Sequence, residues 1–598
     1  MPTPAPLAHP QVTYNRLLLF VAGLGGLLYG IDVGIIAGAL PYLEATSGLN
    51  AGQLSFVVAA VLLGSVIATL FAGVLADWMG RRNLMALSGA FFVASIPLIA
   101  LSQGYTSLVL GRLLQGVSGG LIGVVIPLYL AECLGAKDRG KGTGMFQWML
   151  VFGFVIAAVI ALYFSYRVEA VARLGDPARL HAFKDTAWRS IFWVSLPPGV
   201  FFVVGSLWVA ESPRWLFVRG RKEAARAALL RSREPAQAEV ELQEMAASAA
   251  AESAKATAGG GRAKESLLCR KYVIPFGLAC VILACNQATG INSIIGFNAN
   301  IFIQSGLSDV QAHYGNLLFT LVNFGMTMVA VMLVDRRGRK FLLTLGTAGI
   351  IVSLGAVGLL FRRTEQQRIE ARAAVQNMVT AEQTATIRFN AETARALLAA
   401  SGDTGAALAG RPLTLSVIYS YGGFRATTTI ARSDDSAAAP LEITRDRCLP
   451  PNPVSAFFAS PLASLAAART APLVIENALI TPVPGTRNGW LTAACTFCFM
   501  GFFAIGPGVC VWLALSELMP TRIRSNGMSI ALTLNQAVST TIAAVFLPTV
   551  GKYGYSTMFF LFAGCTVVYF ITAAFFLPET KGKTLEEIEA AFAAKSRR

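Results

Sequence analysis

The sequence predicts an all-α membrane protein: twelve transmembrane helices in two six-helix bundles, with an α+β segment inserted on the outside of the second bundle. Three observations predict this class. The chain has 598 residues, 55% hydrophobic and only 14% charged, where a soluble domain carries about 25% charged residues. Apolar segments of about 20 residues recur along it, the length that crosses a ~30 Å hydrocarbon core. Its charged loops also occur twice, in order. Gly73-Val-Leu-Ala-Asp77-Trp-Met-Gly80-Arg81-Arg82 returns as Met332-Leu-Val-Asp335-Arg-Arg-Gly338-Arg339-Lys340. Glu132…Arg139 returns as Glu517…Arg524, and Glu211-Ser-Pro-Arg214 is echoed by Pro578-Glu579-Thr-Lys581. Duplicated loops in a membrane-like chain mean two repeated helical bundles.

In chain order, the apolar segments fall at about 15–40, 53–76, 84–103, 107–131, 144–165, 187–210, 272–304, 314–334, 341–361, 489–515, 527–549 and 555–577. The 56 glycines suit helices that approach one another through small residues. The expected organisation is residues 1–210 as the first bundle, 211–270 as a linker with amphipathic helices, and 271–361 as spans seven to nine. Residues 362–488 form the insertion, 489–580 the last three spans and 581–598 a tail. The insertion is located by offsets. Asp77 and Asp335 lie 258 positions apart, Glu132 and Glu517 lie 385 apart, so the second half carries 127 additional residues between those motifs. Within it, Arg368 to Val379 predicts a helix. Thr414 to Ile430 predicts a hairpin turning at Gly422-Gly423.

Cations in the short loops set the orientation. Arg81-Arg82, Arg139, Arg339-Lys340 and Arg524 share one side, as does the Arg219-to-Lys222 segment. That side is expected to be cytoplasmic, with both termini inside and the insertion outside, in a bacterial inner membrane. The net charge of +16 then reflects this bias toward the cytoplasmic side, and no nucleic-acid partner is expected. Met1 to Asn15 lacks the pattern of a cleaved leader, so the first span is expected to remain in the bilayer. Nine cysteines give no disulfide framework, and three scattered histidines give no metal site. No cofactor is expected, no phosphate loop or nucleophile elbow occurs, and the chain reads as a monomeric transporter embedded in lipid rather than an enzyme.

An ordered set of motifs carries a resemblance. It comprises Leu28-Tyr29-Gly30-Ile31-Asp32, the Asp77–Arg82 loop, Gly111-Arg112-Leu-Leu-Gln-Gly116, Glu132…Arg139-Gly140 and Trp188-Arg189. It continues through Glu211-Ser-Pro-Arg-Trp-Leu216, Asn286-Gln287-Ala-Thr-Gly290-Ile-Asn292, Asp335…Arg339-Lys340, Gly506-Pro507, Ser516-Glu517…Arg524 and Pro578-Glu-Thr-Lys-Gly582. In this order the set resembles the sugar porter family of the major facilitator superfamily, over all but the insertion and the extreme ends.

The resemblance implies secondary active transport of a monosaccharide, with a proton as coupling ion and alternating access. Asp32 lies mid-membrane, where a carboxylate is costly unless paired. The resemblance implies Asp32 and Arg112 as the proton-coupling pair; a static structural ion pair is the alternative. One charge moved through 100 mV supplies ~2.3 kcal/mol, enough for roughly fifty-fold accumulation. The matching substrate positions are Gln147, Asn286, Gln287, Asn292, Asn323, Trp512 and Asn535. Their amides suit hydroxyl rims, and each could equally join helices. Phe154 stands where many members carry a second glutamine, Asn286 replaces a glutamine, and Gly296-Phe297 replaces a tyrosine pair, with Asn298 and Asn300 as nearby polar groups. A gate on the cytoplasmic side is expected from Asp77, Arg81, Glu132, Arg139, Glu211, Arg214, Asp335, Arg339, Glu517, Arg524 and Glu579, bridging the two bundles; these residues could also serve only as topological anchors. A facilitative sugar or polyol transporter, or a non-transporting sugar sensor, remain the competing functions.

Overall fold

The computed structural model describes residues 10–134, 139–258, 270–401, 408, 410–435, 439–450, 453, 456, 460, 462–511 and 524–578. Among them, twelve helices are long and apolar enough to cross a membrane. They are Gln11–Ser47, Ala51–Met79, Arg81–Ala100, Tyr105–Cys133, Gly144–Ala172, Pro177–Trp208, Tyr272–Gln304, Asp309–Val334, Arg339–Glu365, Thr486–Val511, Ile530–Tyr553 and Tyr555–Phe576. Large apolar side chains left exposed on them, among them Phe71, Phe201, Val352 and Phe575, face outward from the bundle. That surface is suited to lipid rather than water.

The sixth span begins at Pro177, about ten residues before the start that hydropathy suggests. Asp176 caps it, accepting the amide N–H groups of Ala178 at 3.0 Å and Arg179 at 3.1 Å, and Pro177 occupies the first turn. Its early turns carry Arg179, Lys184 and Asp185, so a window that seeks uniform apolarity misses them. The seventh span is broken. Its helix stops at Ala288, and Gly290 with φ +80° starts a new one at Ile291. A β-carbon on Gly290 would lie 2.4 Å from the Phe562 ring, so both backbone and space demand glycine there.

The duplicated loops prove to be duplicated geometry. Gly80 (φ +92°, ψ 161°) ends the second span and opens the third, and Gly338 (φ 86°, ψ 160°) does the same between the eighth and ninth. Arg81 then donates back to the carbonyl of Ala76 at 3.0 Å, as Arg339 does to Val334 at 3.5 Å. Between the loops, small residues let helices meet backbone to backbone. A β-carbon on Gly30 would fall 1.9 Å from the Leu150 carbonyl oxygen of the fifth span, and one on Gly116 would fall 2.0 Å from that of Val61 in the second. Such approach replaces the hydrophobic drive that lipid removes.

The insertion is an α+β unit with its own core, which includes Leu415, Val417, Ile475 and Ile480. Its strands are β1 (Ile369–Glu370), β2 (Ala385–Ile387), β3 (Leu413–Tyr421), β4 (Phe424–Thr427), β5 (Ala431–Arg432), β6 (Leu441–Ile443) and β7 (Leu473–Pro482). The main antiparallel sheet has the order β1-β7-β3-β4, with β5 on β3; β2 and β6 pair separately. All nine residues of β3 are buried, and the hairpin to β4 turns at Gly422, φ +61°. The stretch expected to be a single helix from Arg368 instead gives β1 and a short helix, Arg372–Gln376. Ile369 pairs with Ile480, so the first and last strands are neighbours. The chain therefore leaves the ninth span and rejoins the tenth at nearly one point.

Replacing Gly80 by Ala places a β-carbon in a conformation reserved for glycine and 2.3 Å from the Glu211 carboxylate. The expected cost is about 1–3 kcal/mol, read as a lowered thermal-unfolding midpoint of the detergent-solubilised protein, with Gly73→Ala, which has open space, nearly unchanged.

Candidate functional site

The first and fourth spans bring Asp32 and Arg112 together, each only 1% exposed. The pair is loose: Arg112 Nη1 lies 3.9 Å from Asp32 Oδ1 but donates to the Gln115 side-chain oxygen at 2.6 Å. The Phe192 ring covers the guanidinium at 5.6 Å. Neither carboxylate oxygen of Asp32 has a hydrogen-bond partner. Gly119 makes room for them, since a β-carbon there would sit 2.9 Å from Asp32 Oδ2 and 3.2 Å from the Tyr29 ring. Tyr29, one turn before Asp32, lies near the side chain of Gln536 on the eleventh span.

The second cluster forms where the seventh span breaks. Gln287 donates to Asn535 Oδ1 at 3.2 Å and accepts from Asn292 Nδ2 at 3.0 Å. Asn292 also donates to Ser539 Oγ at 2.8 Å, and Asn535 to the Leu283 carbonyl at 2.9 Å. Four polar side chains from two spans thus form one relay beside an interrupted helix, the usual setting for a solute site in transporters. Asn286 is buried with its side-chain oxygen unpartnered. Asn323 stands apart from this relay, accepting from Thr327 at 3.4 Å, and with Phe154 lines a void of about 10 Å³, room for one water. Gln147 is half-buried in the fifth span. Trp512 lies outside the described residues.

Sequence reasoning passed over Tyr29, Gln115, Gln536 and Ser539. Tyr29 and Gln115 sit inside quoted motifs, and Ser539 is one helical turn beyond Asn535. Helical spacing from an already chosen residue was the available signal.

At the end of the bundle that carries the duplicated loops, Arg81 pairs with Asp77 at 3.0 Å and with Glu132 at 2.9 Å. Glu132 accepts the Ser212 hydroxyl at 2.5 Å. Glu211 accepts the backbone amides of Arg81 at 2.9 Å, Arg82 at 3.1 Å and Ser212 at 2.8 Å, so it caps the third span, while Arg214 is exposed. These contacts, among the described residues, lie within the first half and its linker. A carboxylate shared among three amides is worth more locally than one exposed ion pair. The side chains of Arg139, Asp335 and Arg524 lie outside what the structure describes, as do Glu517 and Glu579.

A family model described as sugar (and other) transporter matches residues 18–383 and 464–592. The chain belongs to that family. It is a membrane transporter, multi-pass, and not an enzyme. The stretch left unmatched, 384–463, lies inside the insertion. The chain is 27% identical over 579 residues to the glucose transporter GlcP of Staphylococcus epidermidis, covering 96% of this chain and 97% of the relative. It is 29% identical over 361 residues to the galactose-proton symporter of Escherichia coli, covering 59% of this chain and 72% of the relative. The inward open conformation of the xylose transporter XylE from E. coli aligns with a TM-score of 0.63 at 20% identity, over 97% of this chain and 100% of that one. This likeness shows the major facilitator fold.

Gln287→Ala removes a buried donor to Asn535 and an acceptor from Asn292, with an expected cost of about 1–3 kcal/mol. Asn535→Ala should cost clearly less in the Gln287→Ala background than alone, because the two share one hydrogen bond. Equal costs in both backgrounds, measured by thermal unfolding, would exclude the relay.

Proposed function

We propose that this transporter moves a monosaccharide into the cell by proton symport with alternating access, and that Asp32 carries the proton. The observation that carries the reading is the Asp32–Arg112 pair: fully buried, 3.9 Å apart, with no hydrogen bond to either carboxylate oxygen. A charge buried without donors is costly, and a proton removes that cost. In the proposed cycle Asp32 is loaded from outside, which neutralises its carboxylate, releases the still-cationic Arg112 to Gln115 and lets the pair, now carrying the proton's single charge, move with the first bundle. Return of the proton to the cytoplasm restores the attraction between the two side chains.

The solute is assigned to the relay of Gln287, Asn292 and Asn535, with Asn286, Asn323, Gln147 and Trp512 as the further contacts that the family resemblance implies. Amide groups that now satisfy one another can exchange those bonds for sugar hydroxyls without leaving a buried group orphaned. Tyr29, near Gln536 beside Asn535, is the proposed link between proton and solute. The assignment to sugar is supported by the family and by the names of GlcP and the galactose-proton symporter.

The proposed orientation, with linker and termini in the cytoplasm and the insertion in the periplasm of a bacterial inner membrane, is supported by the loop cations. Tyr42 donates to Asp309 at 2.8 Å, Ser55 accepts from Leu547 at 2.9 Å, and Asn300 bonds Glu44, all at the insertion end. These cross-half bonds support a state closed to the outside. Facilitative transport is the second reading, favoured by the shorter Arg112–Gln115 contact, which can hold the guanidinium without Asp32.

Uptake of labelled glucose, xylose and galactose into proteoliposomes tests the proposal. Wild type should accumulate one of them tenfold or more with an inward proton gradient. Asp32→Asn should lose accumulation while keeping equilibrative exchange. Equal gradient-independent flux in both proteins would leave a facilitator.

A further inference from the structure

A cavity of about 470 Å³ lies where the insertion meets the closed outer end of the bundle. It is within the roughly 300–1,000 Å³ of small-molecule sites. Three bodies build its wall. The first half supplies Tyr42, Glu44 and Lys184; the second supplies Asn300 and Asp309; the insertion supplies Arg432 and Asp435. None of this belongs to the relay at the broken seventh span. The insertion's share of the wall, from Thr429 to Leu441, falls within the stretch that the family model leaves unmatched.

The chemistry of the wall selects its ligand. Its carboxylates are already partnered: Asp435 by Lys184 at 3.1 Å, Asp434 by Arg432 at 2.8 Å, Asp309 by the Tyr42 hydroxyl at 2.8 Å, Glu169 by Arg173 at 2.9 Å and Glu44 by Asn300. A free ion would have to displace one of these partners. A neutral molecule would not, because a paired carboxylate keeps spare lone pairs for hydroxyl donors. The Asn300 side-chain oxygen is also unpartnered although the residue is only 6% exposed. An orphaned buried acceptor calls for a donor from a ligand. Ile303, Leu307 and Leu180 supply apolar surface between the polar groups, which suits the C–H faces of a sugar ring.

We propose that this cavity is a second ligand site, for a neutral polyhydroxylated molecule of monosaccharide size, assembled only while the outer gate is shut. Because both halves contribute walls, the site comes apart when they separate at that end. Its ligand binds the closed state alone and shifts the population toward it. External sugar at high concentration then slows its own uptake. The inference goes beyond the transport reading and takes from it the side assignment and the sugars chosen as probes.

Calorimetric titration and uptake by the full-length protein, with glucose, xylose and galactose as probes, test it in wild type and five variants. Gln287→Ala disables the proposed central site, and Ala439→Trp and Thr429→Trp each fill the outer cavity from the insertion. Wild type should bind two molecules of one probe per chain. Gln287→Ala should retain one binding event and lose flux. Either tryptophan, combined with Gln287→Ala, should weaken the remaining event at least about tenfold; two fillers guard against one that fails to fold. Wild-type uptake should fall at high external probe, and the single tryptophan variants should abolish that fall. A wild type that binds none, a Gln287→Ala protein that binds none, or residual binding indifferent to both tryptophans would each overturn the site. Tryptophan-sensitive binding in a wild type without flux would keep the outer site and defeat the transport reading instead.

Discussion

Polar groups within the membrane cannot turn to bulk water, and most features of this protein follow from that constraint. Helices satisfy their own backbones, which is why the spanning structure is built from them. The exceptions are informative because each must find a substitute partner. Where the seventh span breaks at Gly290, the amides of Gln287, Asn292 and Asn535 bond one another and the Leu283 carbonyl. Arg112 finds Gln115, Asp32 and the face of Phe192. Among the described residues, Asp32 alone has both carboxylate oxygens buried without a hydrogen bond, and the reading of function rests on that deficit.

The same constraint explains the glycines. Helices in lipid associate by close contact, so Gly30 and Gly116 bring backbones together where any side chain would collide. Rigid halves result, and movement is left to the surfaces between them. At the insertion end those surfaces are stitched by Tyr42–Asp309, Ser55–Leu547 and His313, whose ring lies 5.5 Å from that of Tyr42 and 3.3 Å from the Gly38 carbonyl.

An insertion of this size is tolerated because its ends meet. β1 and β7 pair beside each other, so the membrane helices on either side are held much as a short loop would hold them. Closing a long loop costs little more than closing a short one, and a core of its own repays the ordering. The unit nevertheless touches both halves. Asn50 donates to the Arg447 carbonyl at 2.5 Å, and Lys184 pairs with Asp435, while Arg432 donates to the Ile303 carbonyl at 2.8 Å. Any opening at this end must break one set of these contacts.

Much of this was legible in the chain. Hydropathy of about 20-residue segments depends only on composition, so the spans were countable, and the place of the insertion followed from motif offsets. The hairpin at Gly422-Gly423 was readable because a turn's needs are local. The early start of the sixth span was not, because its first turns are amphipathic. The gate residues show the deeper limit. Sequence could name Glu211 and Arg214 as a charged pair, yet folding gives Glu211 to three backbone amides instead. Spacing along a chain cannot say which acceptor lies nearest in space. The sequence by itself determined the class, the number of spans and the repeat, and it named the polar residues to which the proposal assigns proton and solute. Only tertiary structure decided that Arg112 holds Gln115 more closely than Asp32, that the amides form one relay, and that the insertion and the two halves together line a cavity. Partner choice and enclosed space depend on distances between segments far apart in the chain.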